Sequence, residues 1–189
     1  MTGGSRPDEI EVKIPVEDLD AVRRGLQERG AVATRARHDE CNDLYDHPDG
    51  RLAAAGCALR LRRTAGLCLL TFKGPARFEQ GIRTREERET TVGEAGEAEA
   101  ILVGAGLARR FRYEKLREEW ALAGCAVALD ETPIGNFVEI EGDPARIREA
   151  VTALGLDFAS ATPYSYPHLY SLKRKETPAL PPDMVFRRS

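Results

Sequence analysis

Charged side chains recur at every second position on several short segments of this chain, with apolar residues between them. Glu9, Glu11 and Lys13 alternate with Ile10, Val12 and Ile14; Arg60 and Arg62 alternate with Leu59 and Leu61; Glu139 and Glu141 stand opposite Val138 and Ile140. Thr71 and Lys73, then Arg85, Glu87 and Glu89, then Lys115 and Arg117, and finally Asp130, extend the series. A strand sends successive side chains to opposite faces, so each segment presents one charged and one apolar face. For any single strand the ordinary explanation is a solvated outer surface. Such a surface tolerates Ser, Thr, Gln or Lys in any order, whereas here Glu-x-Glu and Arg-x-Arg pairs of both signs return. Ions withdrawn from water need partners, and mixed signs compensate one another. If the strands close so that the charged faces turn inward, the bore acquires a cationic wall and an acidic one. Arg and Lys donors suit polyphosphate oxygens, and grouped carboxylates suit a hard divalent cation such as Mg²⁺ or Mn²⁺. The pattern reads as a site for a metal ion together with a polyphosphate.

The elements that must position these residues are legible as well. Residues 9–15 alternate strictly and end at Pro15, a first strand. From Val16 to Arg29 the residues Val16, Leu19, Val22 and Leu26 fall at helical spacing, acidic residues load the opening turns, and Gly30 follows. An extended stretch runs into Tyr45, residues 46–50 concentrate turn formers, and Arg51 to Gly56 suits one helical turn. Strands at 57–64 and 67–73 flank a two-residue Ala65-Gly66 turn. Ile82 to Val92 reads as one long strand and Glu94 to Gly104 as an amphipathic helix. Then come a strand over 107–122 with a break near Glu114, a strand over 125–131, a turn at Pro133-Ile134-Gly135 and a strand over 136–141. Asp143 caps a helix over 144–154 with Pro144 at its first position, and residues 164–172 suit a last short helix. Hairpins outnumber crossovers, so an α+β fold on a closed antiparallel barrel, with helices packed outside, is expected rather than a doubly wound sheet. Residues 1–8 read as a disordered N-terminus, 9–172 as the folded domain, and 173–189, rich in Pro and Arg, as a flexible tail.

The whole chain narrows the function classes. Its 189 residues, 42% hydrophobic and 31% charged, are ordinary for one globular domain. With 28 Lys and Arg against 31 Asp and Glu, no global positive field favours nucleic acid or an acidic membrane, so positive charge must be concentrated locally. Cys41, Cys57, Cys68 and Cys125 form no CxxC pair and read as reduced, mostly buried thiols. No secretory leader or apolar run of about 18 residues appears, so the expectation is a cytoplasmic protein without a membrane span. No Walker-type loop occurs. His38, His47 and His168 share no motif and are expected at surface or turn positions. Tyr164, Tyr166 and Tyr170 read as packing of the last helix. Nothing demands a homodimer, although one is compatible.

In their order these motifs resemble the CYTH superfamily, the triphosphate tunnel metalloenzymes, which include class IV adenylate cyclases, thiamine triphosphatases and inorganic tripolyphosphatases. The ExExK motif stands as residues 9–13, Leu-Arg-x-Arg as 59–62, Thr-x-Lys as 71–73, and Gly135 to Glu141 matches a later element. The resemblance spans roughly residues 9–172. It implies an eight-stranded antiparallel tunnel in which Lys13, Arg60, Arg62, Lys73, Arg85, Lys115 and Arg117 hold phosphate oxygens. It also implies that Glu9, Glu11, Glu139 and Glu141 hold an essential Mg²⁺ or Mn²⁺, with Glu87, Glu89 and Asp130 as further ligands or supports. The terminal Ser-Tyr segment would lie near a tunnel mouth. Lys13, Glu11 and Glu141 are the residues expected to be required for turnover. Hydrolysis of a small-molecule triphosphate is the first expectation, cyclisation of ATP the second, and non-catalytic polyphosphate binding the third. Cyclase-like members tend to carry Gln-x-Asp-x-Tyr-Phe after the first helix; here the segment reads Cys41-Asn42-Asp43-Leu44-Tyr45-Asp46, which favours hydrolysis.

Overall fold

A computed structural model describes residues 8–187; the expectation for the N-terminus falls almost wholly on residues 1–7, outside the described residues. In chain order the elements are β1 (Glu9–Val16), α1 (Leu19–Glu28), β2 (Val32–Asp46), α2 (Arg51–Ala54), β3 (Ala58–Thr64), β4 (Leu67–Lys73), β5 (Arg77–Glu79), β6 (Ile82–Arg85) and β7 (Glu87–Val92). They continue as α3 (Ala95–Gly104), β8 (Ala108–Leu122), β9 (Cys125–Thr132), β10 (Gly135–Glu141), α4 (Pro144–Ala153) and α5 (Tyr166–Glu176). Several boundaries shift for local reasons. β1 runs through Pro15, whose fixed φ suits extended chain. α1 starts late because Asp18 is its cap, its carboxylate accepting from the Asp20 and Ala21 amides at 2.8 and 3.1 Å. β8 is unbroken over 15 residues, Glu114 included, because β2 pairs along it and the Glu114 amide donates to the Met184 carbonyl at 2.9 Å.

The strands form one sheet in the order β5-β6-β1-β10-β9-β8-β2-β3-β4-β7, each neighbouring pair antiparallel. This corrects the expected closed eight-stranded barrel: among the described residues there are ten strands, and the ladder has two ends. The physical reason lies at Glu86. The segment read as one strand over 82–92 splits there into β6, which pairs with β1, and β7, which pairs with β4. The Glu86 carbonyl accepts from the Gly74 amide instead, at 2.9 Å. The sheet nevertheless curls strongly, since Lys73 on β4 reaches Glu9 on β1 at 2.8 Å although these strands lie far apart in the ladder.

The outer, apolar face is covered as the alternation requires. Val12, Ile14, Val127, Leu129, Val138 and Ile140 pack with Val22 and Leu26 of α1 and with Ile147 and Val151 of α4. Tyr45, Leu61 and Cys68 pack with Ala98 and Leu102 of α3. α5 departs from the expected outside packing. Its Tyr166 and Tyr170 meet Tyr113 and Phe137, which stand two residues from Lys115 and Glu139 and so share the inward, charged face. α5 therefore covers part of the bore. No helix among the described residues is long and apolar enough to cross a membrane.

The C-terminal segment also differs from the flexible tail expected from its composition. α5 continues to Glu176, and the Tyr170 hydroxyl donates to the Pro181 and Asp183 carbonyls at 2.8 and 3.1 Å. Met184 is fully buried, with its amide and carbonyl bonded to the Arg112 carbonyl and Glu114 amide. Composition spoke for a loose end; the Met184 side chain and these hydrogen bonds anchor it. Met184→Ala is expected to lower unfolding free energy by about 2–3 kcal/mol in urea titrations, and a loss below about 0.5 kcal/mol would show that the segment is not docked.

Candidate active site

A cavity of about 820 Å³ lies along the inner face of the sheet, and every predicted site residue except Asp130 lines it. Register explains the convergence. β1 places Glu9 opposite Arg85 and Glu11 opposite Arg83 on one side, and Glu11 opposite Glu141 and Lys13 opposite Glu139 on the other. The alternation along each strand then carries all of these side chains to one face.

One region is acidic. Lys73 Nζ lies 2.8 Å from Glu9 and 2.6 Å from Glu87, and Arg83 lies 2.9 Å from Glu11. Glu141 keeps contact with solvent, yet partial removal from water, followed by the charges of Glu9, Glu11 and Glu87, pushes its pKa up to about 7. These oxygen donors, crowded enough to raise one of their own, fit a hard divalent cation, which would relieve the repulsion. Glu139, expected in the same set, instead sits among cations: Lys13 is 3.1 Å away and Arg117 also contacts it. Burial alone would raise its pKa, but Lys13, Arg117 and Lys115 hold it well below the usual carboxylate range.

The other region is the cationic wall. Asp130, fully buried, accepts a fork from Arg117 at 2.7 and 2.6 Å, an ammonium proton from Lys115 at 3.0 Å, and the Tyr166 hydroxyl at 2.7 Å. It shares the inward face but is covered there by Tyr166 and does not line the cavity; it aims two cations that do. Tyr166 further lays its ring under Lys13, whose Nζ is 4.2 Å from the ring centre. Arg60 donates to the Thr71 hydroxyl at 3.2 Å and to Glu89 at 3.4 Å, and Thr71 in turn donates to Glu89 at 2.7 Å. Burial and the neighbouring Arg60 depress Arg62, whereas Tyr113, Glu87 and Glu40 outweigh burial to raise Arg60. Arg85, buried beside Arg83, is likewise depressed. A wall of guanidinium and ammonium groups held this close offers the charge-assisted donors that an anion would accept.

Several participants escape the motif series. Arg83 stands two residues before Arg85 and so was legible from the same alternation. Glu40 is 1% exposed and contacts Arg62 at 3.3 Å and Lys115 at 3.5 Å. Burial would raise its pKa, yet Lys115, Arg117 and Arg62 depress it strongly. Tyr113, Glu119 and His168 also line the cavity. His38, expected at the surface, has a side chain only 8% exposed. β2 hid His38 and Glu40 because its pairing slips twice before His38, which breaks a simple two-residue count.

The raised Glu141 gives a signed pH effect. Between the ordinary carboxylate value of 4.5 and about 7 the folded chain binds the extra proton, so this group's contribution to stability is lost as pH rises through about 7. With a chelator present, Glu141→Gln is expected to raise Tm relative to the unsubstituted chain more at about pH 8 than at about pH 5. Equal differences at both values would show that Glu141 does not feel its neighbours.

Comparison with known proteins agrees with this geometry. Among solved structures, a candidate adenylate cyclase from Vibrio parahaemolyticus superposes with a TM-score of 0.77 at 22% identity, covering 87% of this chain and 98% of that one. A Pyrococcus horikoshii OT3 protein gives 0.69 at 28% identity, covering 88% and 99%. A candidate adenylyl cyclase from Hippeastrum, described as having a dominant triphosphatase activity, gives 0.67 at 17% identity, covering 87% and 96%. A search of curated proteins returns no match. The CYTH domain model matches residues 8–159, and the chain belongs to the CYTH family.

Proposed function

We propose that this chain is a divalent-cation-dependent triphosphatase that hydrolyses the terminal anhydride of a small triphosphate held in the bore. The observation that carries the reading is the meeting, in one cavity, of a guanidinium and ammonium wall with a cluster of carboxylates. A receptor for polyphosphate alone needs the cations, whereas the crowded carboxylates add a place for a hard cation. In this reading Glu9, Glu11 and Glu141 hold the ion, Glu139 joins them when Lys13 and Arg117 turn to phosphate, and Glu87 and Glu89 support the cluster. When bound, such an ion offsets phosphate charge and acidifies coordinated water.

The remaining roles belong to the chain's own side chains. Arg60, Arg62, Lys115 and Arg117 receive phosphate oxygens, Arg as a planar fork and Lys as a point charge. Lys73 and Arg85 meet the phosphate nearest the acidic region. Lys13, steadied by Glu139 and the Tyr166 ring, orients the terminal phosphoryl group or the attacking water. Water adds to the terminal phosphorus, the bridging P–O bond breaks, and the wall stabilises the negative charge left on the leaving phosphate. Cyclisation would use the same wall with a ribose hydroxyl directed at the α-phosphorus, and Cys41 and Asp46 stand where cyclase-like members tend to carry Gln and Phe.

Incubation with tripolyphosphate, thiamine triphosphate or ATP in Mg²⁺ or Mn²⁺ is expected to release orthophosphate as the first product. Glu11→Gln is expected to lower the rate by about 100-fold or more while leaving Tm within a few degrees. Cyclic AMP as the main product from ATP would overturn hydrolysis. Binding without turnover of every substrate would overturn catalysis, and unchanged activity in Glu11→Gln would remove the metal assignment.

A further inference from the structure

At inward positions of β2 and β8, three ligating groups converge that the triphosphatase reading leaves unused. His38 Nε2 lies 3.7 Å from an oxygen of Glu40, two residues along β2, and 3.7 Å from an oxygen of Glu119 on β8. One ligand atom from each falls within 4.8 Å of the others. The His38 side chain is 8% exposed and that of Glu40 is 1% exposed. Neither His38 Nε2 nor either Glu40 carboxylate oxygen has a hydrogen-bond partner among the described residues. Buried polar atoms left in this state are costly unless something fills the space between them.

The imidazole is already oriented. Its Nδ1 lies 2.8 Å from the Ala36 carbonyl, which only an N–H can satisfy, so in the neutral ring the lone pair sits on Nε2 and faces both carboxylates. An imidazolium bridging the two acids would carry a proton on Nε2 and draw an oxygen to about 2.7–3.2 Å; at 3.7 Å neither oxygen has closed. The gap suits an ion that binds nitrogen and oxygen together.

The surrounding charges permit it. Arg62 and Lys115 face Glu40 at 3.3 and 3.5 Å, and Arg35 faces Glu119 at 3.8 Å. Arg62 has a second partner in Asn42 at 3.1 Å, and Lys115 has one in Asp130 at 3.0 Å. Both can release Glu40 without being stranded. Glu119 is 38% exposed and lines the cavity, which supplies access from solvent. We propose that His38, Glu40 and Glu119 hold a divalent transition-metal ion of the class that accepts imidazole with carboxylate, such as Zn²⁺, Mn²⁺ or Co²⁺. This site is separate from the Glu9, Glu11 and Glu141 cluster, whose all-oxygen donors suit a harder ion.

Co²⁺ alone, without phosphate, tests the assignment on the full chain by equilibrium dialysis and visible absorption. The unsubstituted chain is expected to bind one class of Co²⁺ with a nitrogen-ligand spectrum. His38→Gln should abolish that spectrum and remove one Co²⁺ per chain, and Glu119→Gln, at a partly exposed position that folding tolerates, should weaken the class about ten-fold or more. Glu11→Gln should leave it intact. Identical binding and spectra in the unsubstituted chain, His38→Gln and Glu119→Gln would overturn the proposal and leave the cluster as an ion pair only. Loss of the nitrogen-ligand class in Glu11→Gln would overturn its separateness. The outcome is independent of whether any triphosphate is hydrolysed.

Discussion

Burying charge of both signs along one inner face is the constraint on which this structure depends. A bore lined only by Arg and Lys would repel itself open, and one lined only by Glu would do the same. Asp130 shows how the conflict is resolved. It lies buried on the inner face beneath Tyr166 and accepts from Arg117, Lys115 and Tyr166 together, so two cations are fixed in direction by one covered acid. Glu40 performs a looser version beside Arg62 and Lys115. The same arrangement that stabilises the wall also sets the direction of its cations.

The same constraint explains why α5 crosses the inner face. Tyr113 and Phe137 occupy inward positions at a place where the lining turns from charged to aromatic. Apolar side chains facing inward need cover, and α5 supplies it while delivering Tyr166 to Asp130 and Lys13. Packing and site geometry are joined in one side chain, whose ring seals the aromatic patch and whose hydroxyl finishes the coordination of a buried acid. Met184 holds this arrangement from behind.

Much of the site could be read from alternation alone, because a two-residue period names a face without naming a partner. Alternation sets Glu9, Glu11, Lys13, Arg60, Arg62, Lys115 and Arg117 on charged faces, and the structure brings them to one cavity. Partners were harder. Lys73 bridges Glu9 and Glu87 across strands distant in sequence, and no local pattern records such a pairing. His38 was misplaced because the irregular pairing of β2 upsets the count. The split at Glu86 was invisible because Arg85, Glu87 and Glu89 keep perfect alternation through it; what changes is which neighbour each half pairs with. Pro-rich composition concealed the docked Met184 for a related reason, since one buried side chain leaves average polarity unchanged.

The discontinuity at Glu86 has a mechanical consequence. Elsewhere the wall is stitched by backbone ladders, which yield only when several bonds break together; at Glu86, where the ladder from β1 ends with β6 and the one from β4 ends with β7, there is a seam. The Lys73–Glu9 ion pair runs across it, and the Gly74–Glu86 backbone bond and the Lys73–Glu87 pair hold β4 to its edge. Ion pairs weaken with salt and change partners without breaking a ladder. The softest line in the wall therefore passes through the carboxylate-rich region, and whatever engages Lys73 or Glu87 there acts on the width of the bore as well as on its charge.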